Sequence, residues 1–327
     1  MKKVTKYIGE YVNINGIDQF LLHYNNMNNI NSERPVLLFI HGGPGMSEAI
    51  FSHAFQAGLS DLYTVVHWDQ RGAGKTLSKN KNSYPTMDEL LYDLLLVVKY
   101  LKAKYFKEKI VILGHSFGSV LGTLFVLKHP EDVLYYIGAG QVISIIENEK
   151  IGYEKLKELI IKAENKKDLE KLGKIGDYPE NNYNKPMIKK IQKVRILQGK
   201  YKVGMNFVPI LKTLFKSPIF HISDLLSIVK GMNNNKQLWD YLFSHSLYEE
   251  PFDYEVPVYY IVGERDFQAP NTIAISYFNT INAPLKEYFT IEDAGHFMML
   301  DKPESFAKAM AEICNFNCEN EAYMKKV

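Results

Sequence analysis

Gly114-His115-Ser116-Phe117-Gly118 stands between a short apolar run, Ile110-Val111-Ile112-Leu113, and a stretch of helical spacing from Val120 to Lys128 that His129-Pro130 ends. An apolar run of that length reads as a buried strand, so Ser116 falls on a tight strand-to-helix turn. Glycines at 114 and 118 let the two backbones close up, and the serine oxygen projects from the sheet edge where a helix begins. A serine in that position is a candidate nucleophile.

Outward from this turn, the chain alternates strand and helix. Asn15-Gly16 sits between Tyr11–Ile14 and Ile17–Tyr24 as a two-residue hairpin signal, which predicts an antiparallel edge. Val36–Ile40 reads as a fully buried strand leading into His41-Gly42-Gly43-Pro44-Gly45. Residues 47–59 are expected to be helical, residues 63–68 a strand, and Thr86-Met87-Asp88-Glu89 is a capping box opening a long helix through Leu101. Residues 134–137 give another strand. After an interruption the alternation returns with strands at 256–262 and 286–291 and helices at 270–278 and 303–316. Such alternation predicts a mostly parallel sheet with helices on both faces. The interruption, residues 141–250, is rich in Lys, Asn and helical spacing and reads as an inserted helical cap; residues 1–140 and 251–327 form the core domain.

Composition narrows the function. The chain has 327 residues, 46% hydrophobic and 23% charged, which suits one large core with an insertion. Lys+Arg 39 against Asp+Glu 37 leaves a net charge of +2, with no basic block interleaved with aromatics, so nucleic acid is not an expected partner. Met1-Lys2-Lys3-Val4-Thr5-Lys6 leads into Tyr-Ile-Gly-Glu-Tyr rather than an apolar segment, and a cytoplasmic location is expected. Stable membrane insertion is not expected either, since no run reaches the ~20 apolar residues of a span. Cys314 and Cys318, at helical spacing, match neither a zinc pair nor a redox Cys-x-x-Cys.

Chemistry should gather at the carboxyl ends of the parallel strands. Ser116 needs a base, and the base needs a carboxylate to fix its tautomer. Asp266 follows one strand in Gly263-Glu264-Arg265-Asp266, and His296 follows another in Asp293-Ala294-Gly295-His296. Glu264 and Asp293 are the competing acids; His115, His41, His53 and His67 are the competing histidines. The backbone N–H groups of Phe117 and Gly43 are the candidate oxyanion donors. No metal or organic cofactor is needed. Gly72-Ala73-Gly74-Lys75-Thr76 ends like a phosphate-binding loop, but position 69 is Asp where such a loop requires Gly.

Three motifs, His41-Gly42-Gly43-Pro44-Gly45, Trp68-Asp69-Gln70-Arg71-Gly72-Ala73-Gly74 and Gly114-His115-Ser116-Phe117-Gly118-Ser119, together resemble the signature of the proline iminopeptidases within the α/β-hydrolase superfamily. The similarity extends to Gly263-Glu264-Arg265-Asp266 and Gly295-His296 but not into the cap. It implies an α/β-hydrolase fold, a Ser116–His296–Asp266 triad working through an acyl-enzyme, and release of an N-terminal proline or other small residue from short peptides. His115 and Phe117 depart from the family's usual elbow and match general esterases. The family's peptidases also hold the substrate amine with cap carboxylates, so a cap acid such as Glu154, Glu158, Asp224 or Asp240 is expected to face Ser116. An esterase, lactonase or amide hydrolase acting on a small apolar acyl group is the alternative, and a non-catalytic receptor on the same scaffold a distant one. Residues 205–232 mix apolar residues with Lys; packing against the core is expected of them, with a pocket lid or an amphipathic membrane-touching face as the other options.

Overall fold

A computed structural model describes residues 6–24, 34–180, 182–204 and 207–324. The basic residues 1–5 and part of the 205–232 stretch therefore lie outside the described residues, as does the side chain of Cys318. Among the described residues, eight strands form one sheet in the order β1-β2-β4-β3-β5-β6-β7-β8. They are β1 (Tyr7–Ile14), β2 (Ile17–Tyr24), β3 (Val36–Ile40), β4 (Thr64–Asp69), β5 (Ile110–His115), β6 (Val133–Ala139), β7 (Val258–Gly263) and β8 (Lys286–Ile291). From β4 to β8 all pairings are parallel, while β1 and β2 form the antiparallel edge. Asn15 and Gly16 both take positive φ, 50° and 79°, which is what a two-residue hairpin of matching twist requires.

β3, at the centre of the sheet, is apolar throughout because both its faces are covered. Val36, Leu38 and Ile40 face one cluster with α2 (Met87–Tyr105), while Leu37 and Phe39 face the other with α12 (Pro303–Met324). Thr86 caps α2 with both capping-box hydrogen bonds present. α12 runs on to Met324, beyond the expected end at Phe316. The other helices outside the β6–β7 connection are α1 (Gly74–Lys79), which precedes α2, then α3 (Phe117–Lys128), α10 (Asn271–Thr280) and α11 (Met298–Asp301).

One expected helix is absent. Residues 47–59 form two short 3₁₀ turns, Ala49–Ala54 and Gln56–Gly58. The residues that would open a helix are engaged elsewhere: Ser47 donates to Asp69, and Glu48 is turned toward Gly42 and His115. The stretch at Gly72–Thr76 wraps onto Asp69, whose Oδ2 accepts the Lys75 N–H at 2.7 Å, and the Lys75 ammonium meets Asp224 at 2.9 Å.

Among the described residues, six α-helices lie between β6 and β7: α4 (Ile145–Lys162), α5 (Lys166–Gly173), α6 (Lys185–Lys200), α7 (Phe207–Lys216), α8 (Asp224–Asn234) and α9 (Lys236–Ser244). Only part of the 205–232 stretch packs inward. Leu214 is buried and Ile210, Ile219, Phe220 and Ile228 rest on the core, whereas Leu211, Phe215, Ile222, Leu226 and Val229 are exposed.

Candidate active site

Ser116 stands between the end of β5 and the start of α3 with φ 53° and ψ −123°, a backbone conformation that costs of order 1–3 kcal/mol for a residue with a Cβ. Close packing forces it. A Cβ on Gly114 would lie 2.3 Å from the Gly118 carbonyl oxygen, and one on Gly118 would lie 2.2 Å from that of Ile40. Only glycine at both positions allows β5, α3 and β3 to meet this closely.

The loops after β7 and β8 bring two more groups to this point. Asp266 is 1% exposed, and its Oδ1 accepts the N–H groups of Gln268 and Ala269 at 2.8 and 2.9 Å. Its other oxygen lies 2.8 Å from Nδ1 of His296, and Nε2 of His296 lies 2.8 Å from Ser116 Oγ. An ionised carboxylate only accepts, so Nδ1 carries the proton and Nε2 is left to accept from the serine hydroxyl. The competing acids are elsewhere: Glu264 Oε2 takes the N–H of Asp293, and Asp293 is exposed near Lys302.

Neighbouring histidines hold loops. His41 donates from Nδ1 to the Gly42 carbonyl at 2.8 Å and accepts the Gln70 N–H at Nε2, and its burial lowers its pKa. His67 sits within β4 against Gln56, and burial pushes it down to about 3. His115 behaves differently. Burial alone would depress it, but Glu48 at 2.6 Å from Nδ1 raises it, and Nε2 donates to the His296 carbonyl at 2.9 Å. Glu48 also accepts the Gly42 N–H at 3.1 Å, so one carboxylate ties the Gly43 loop to the loop bearing His296. Sequence reasoning missed Glu48, since nothing in its local pattern points to a partner 67 residues away.

Gly43, with φ 119°, lines the same cavity as Ser116 and His296, and Phe117 is the first residue of α3, whose N–H has no acceptor within the helix. The cavity measures ≈ 420 Å³ and its walls are largely apolar, with Val142, Ile145, Ile188 and Trp239 from the inserted segment and its approach. None of the four anticipated acids lines it. Glu154 and Glu158 are exposed on α4, Asp224 is held by Lys75, and Asp240 pairs with Lys236. Helical spacing leaves open which face of α4, α8 or α9 meets the core: Glu154, Glu158 and Asp240 fell on other faces, and Asp224 faces inward onto Lys75 rather than into the cavity. Arg195 also lines the wall; it is ion-paired with buried Glu149, which also accepts from Tyr178.

Residues 35–157 match the family model described as the alpha/beta hydrolase fold. A probable aminopeptidase of Bacillus subtilis, YbaC, is 29% identical over 292 residues, covering 87% of this chain and 90% of that protein. A proline iminopeptidase of Thermoplasma volcanium is 28% identical over 187 residues, 56% of this chain and 58% of that one. Among solved structures, a proline iminopeptidase of Mycobacterium smegmatis superposes with a TM-score of 0.67 at 17% identity, covering 95% of this chain and 98% of that one.

Proposed function

From the premise that this chain has the α/β-hydrolase fold and resembles the proline iminopeptidases, we propose that it is a serine hydrolase in which Ser116 forms an acyl-enzyme. The observation that carries this reading is the line Asp266–His296–Ser116, two contacts of 2.8 Å that end in an apolar cavity. His296 takes the proton of Ser116 as its oxygen attacks the carbonyl, then hands that proton to the leaving group. Asp266 stabilises the imidazolium. The N–H groups of Gly43 and Phe117 receive the oxyanion. Water then repeats the sequence against the acyl-enzyme, with His296 acting first as base and then as acid.

The reaction we favour is release of an N-terminal residue, proline foremost, from short peptides. The named relatives support it, and an apolar wall suits a pyrrolidine ring. One observation favours a second reading, hydrolysis of carboxylic esters or amides with no free amine. Glu48, the carboxylate in the wall, already faces the Gly42 N–H and His115, and Glu149 is matched by Arg195. Turnover of proline naphthylamide and of short-chain p-nitrophenyl esters, measured side by side, separates the two. Amide turnover that falls when the proline nitrogen is acylated supports the aminopeptidase; turnover of esters alone overturns it.

A further inference from the structure

α8 is amphipathic in the reverse sense to an ordinary surface helix. Its inner face carries Asp224, Ser227, Gly231 and, just past its end, Asn235, all buried. Polar contacts fasten this face: Asp224 to the Lys75 ammonium at 2.9 Å, Ser227 to Ser78 at 2.6 Å, and Asn235 Nδ2 to the Gly72 carbonyl at 3.0 Å. The outer face carries Leu225, Leu226, Val229 and Met232, and Ile222, two residues before the helix, extends the stripe. These positions recur at three- and four-residue intervals, so they share one side of the helix. Ile222 is 79% exposed, Leu226 67% and Val229 58%. Phe215 on α7 adds another exposed ring at 63% and touches Phe220. Solitary exposed apolar residues are ordinary, but a continuous stripe marks an interaction surface.

Charge identifies what covers it. Residues 185–236 hold ten Lys and one Arg against one acid, Asp224, although the whole chain is nearly balanced at 39 basic and 37 acidic residues. Lys230 flanks the stripe one turn beyond Leu226, and Lys212 and Lys216 flank Phe215 on α7; all three are exposed and carry no ion pair among the described residues. A symmetric contact with a second copy would set this basic face against itself. An apolar stripe edged by lysines fits an acyl boundary under negative headgroups.

We propose that the outer faces of α7 and α8 dock on a membrane surface carrying anionic lipid headgroups. Leu226 and its neighbours enter the headgroup–acyl boundary while Lys212, Lys216 and Lys230 meet the lipid phosphates. Val229, Met232 and Ile196 of α6 belong both to the exposed surface and to the wall of the Ser116 cavity. Docking therefore sets the mouth of that cavity against the bilayer. The inference stands on exposure and charge and does not depend on the reaction assigned to Ser116.

The test is co-sedimentation of the full chain with phosphatidylcholine vesicles, with and without phosphatidylglycerol. Binding about tenfold or more tighter to the anionic vesicles, weakened in about 0.5 M salt, is expected. The Leu226→Glu variant and, separately, the Lys212→Glu/Lys216→Glu/Lys230→Glu variant should each lose about tenfold or more with unchanged circular dichroism and melting temperature. No binding, equal binding to both vesicle types, or full binding by a folded Leu226→Glu variant overturns the proposal. So does a wild-type dimer in solution that Leu226→Glu turns into a monomer, since a second copy would then occupy the face.

Discussion

The imidazole of His115 meets the carboxylate of Glu48 at 2.6 Å in a site where both side chains are almost wholly buried. His115 is the residue beside Ser116, and its other nitrogen donates to the backbone carbonyl of His296. A pair that makes no hydrogen bond to Ser116 Oγ thus links the Gly42–Gly43 loop to the loop bearing His296.

Below about pH 6.5, Glu48→Gln should destabilise the protein by about 3 kcal/mol or more, because the buried imidazolium of His115 loses its counter-ion. The pH dependence has a definite sign. The folded pKa of His115 is raised, the Glu48 contact outweighing burial, so the pair's contribution is complete below about pH 6.5 and is lost as pH rises through the raised value. Melting curves from about pH 5.5 to 9 should show a loss on the alkaline side in wild type that is absent in Glu48→Gln.

Asp266→Asn should lower kcat by about 10⁴ with KM little changed. Its Oδ1 accepts two backbone N–H groups, so an asparagine keeps its oxygen there and turns its amide toward His296. That forces the proton onto Nε2, where it can no longer accept from Ser116. Retention of the folded melting temperature together with the loss of kcat is the result to look for.

How much of this was legible in the sequence depends on the range of the signal. β3, Ile110–Leu113 of β5 and Val258–Val262 of β7 are uninterrupted apolar runs, and a strand buried on both faces has to look that way. Ser116 and Asp266 could be named because each follows such a strand, and His296 because it follows the mixed strand β8 beside them, so all three lie at one end of the sheet. Glu48 and Glu149 could not. Their partners, His115 and Arg195, lie 67 and 46 residues away, and neither position differs locally from a solvated acid. The orientation of α8 was hidden for a related reason. A stripe of Leu and Val at helical spacing normally faces inward, and the contacts that turn it outward come from Lys75 and Ser78 in another part of the chain.

Gly231→Ala should lower kcat/KM by up to about 10²-fold, although residue 231 lies far along the chain from the reacting groups. A Cβ there would lie 2.3 Å from the Gly45 carbonyl oxygen, and only backbone movement of the Gly43 loop or of α8 relieves it. Steady-state kinetics alongside a melting curve would separate displacement of that loop from general destabilisation.

Arg195→Leu should cost about 3–5 kcal/mol by leaving Glu149 buried without its counter-ion. Adding Glu149→Leu should recover most of the loss, giving a coupling energy that a double-mutant cycle in urea reads directly. Equal and additive losses would mean that the two side chains act independently.

Reaction of the protein with a fluorophosphonate, followed by intact-mass measurement and peptide mapping, tests the central claim most directly. One adduct on Ser116, absent from a folded Ser116→Ala variant, is the predicted result. An unreactive wild type, or an adduct that maps to another residue and persists in Ser116→Ala, would contradict it.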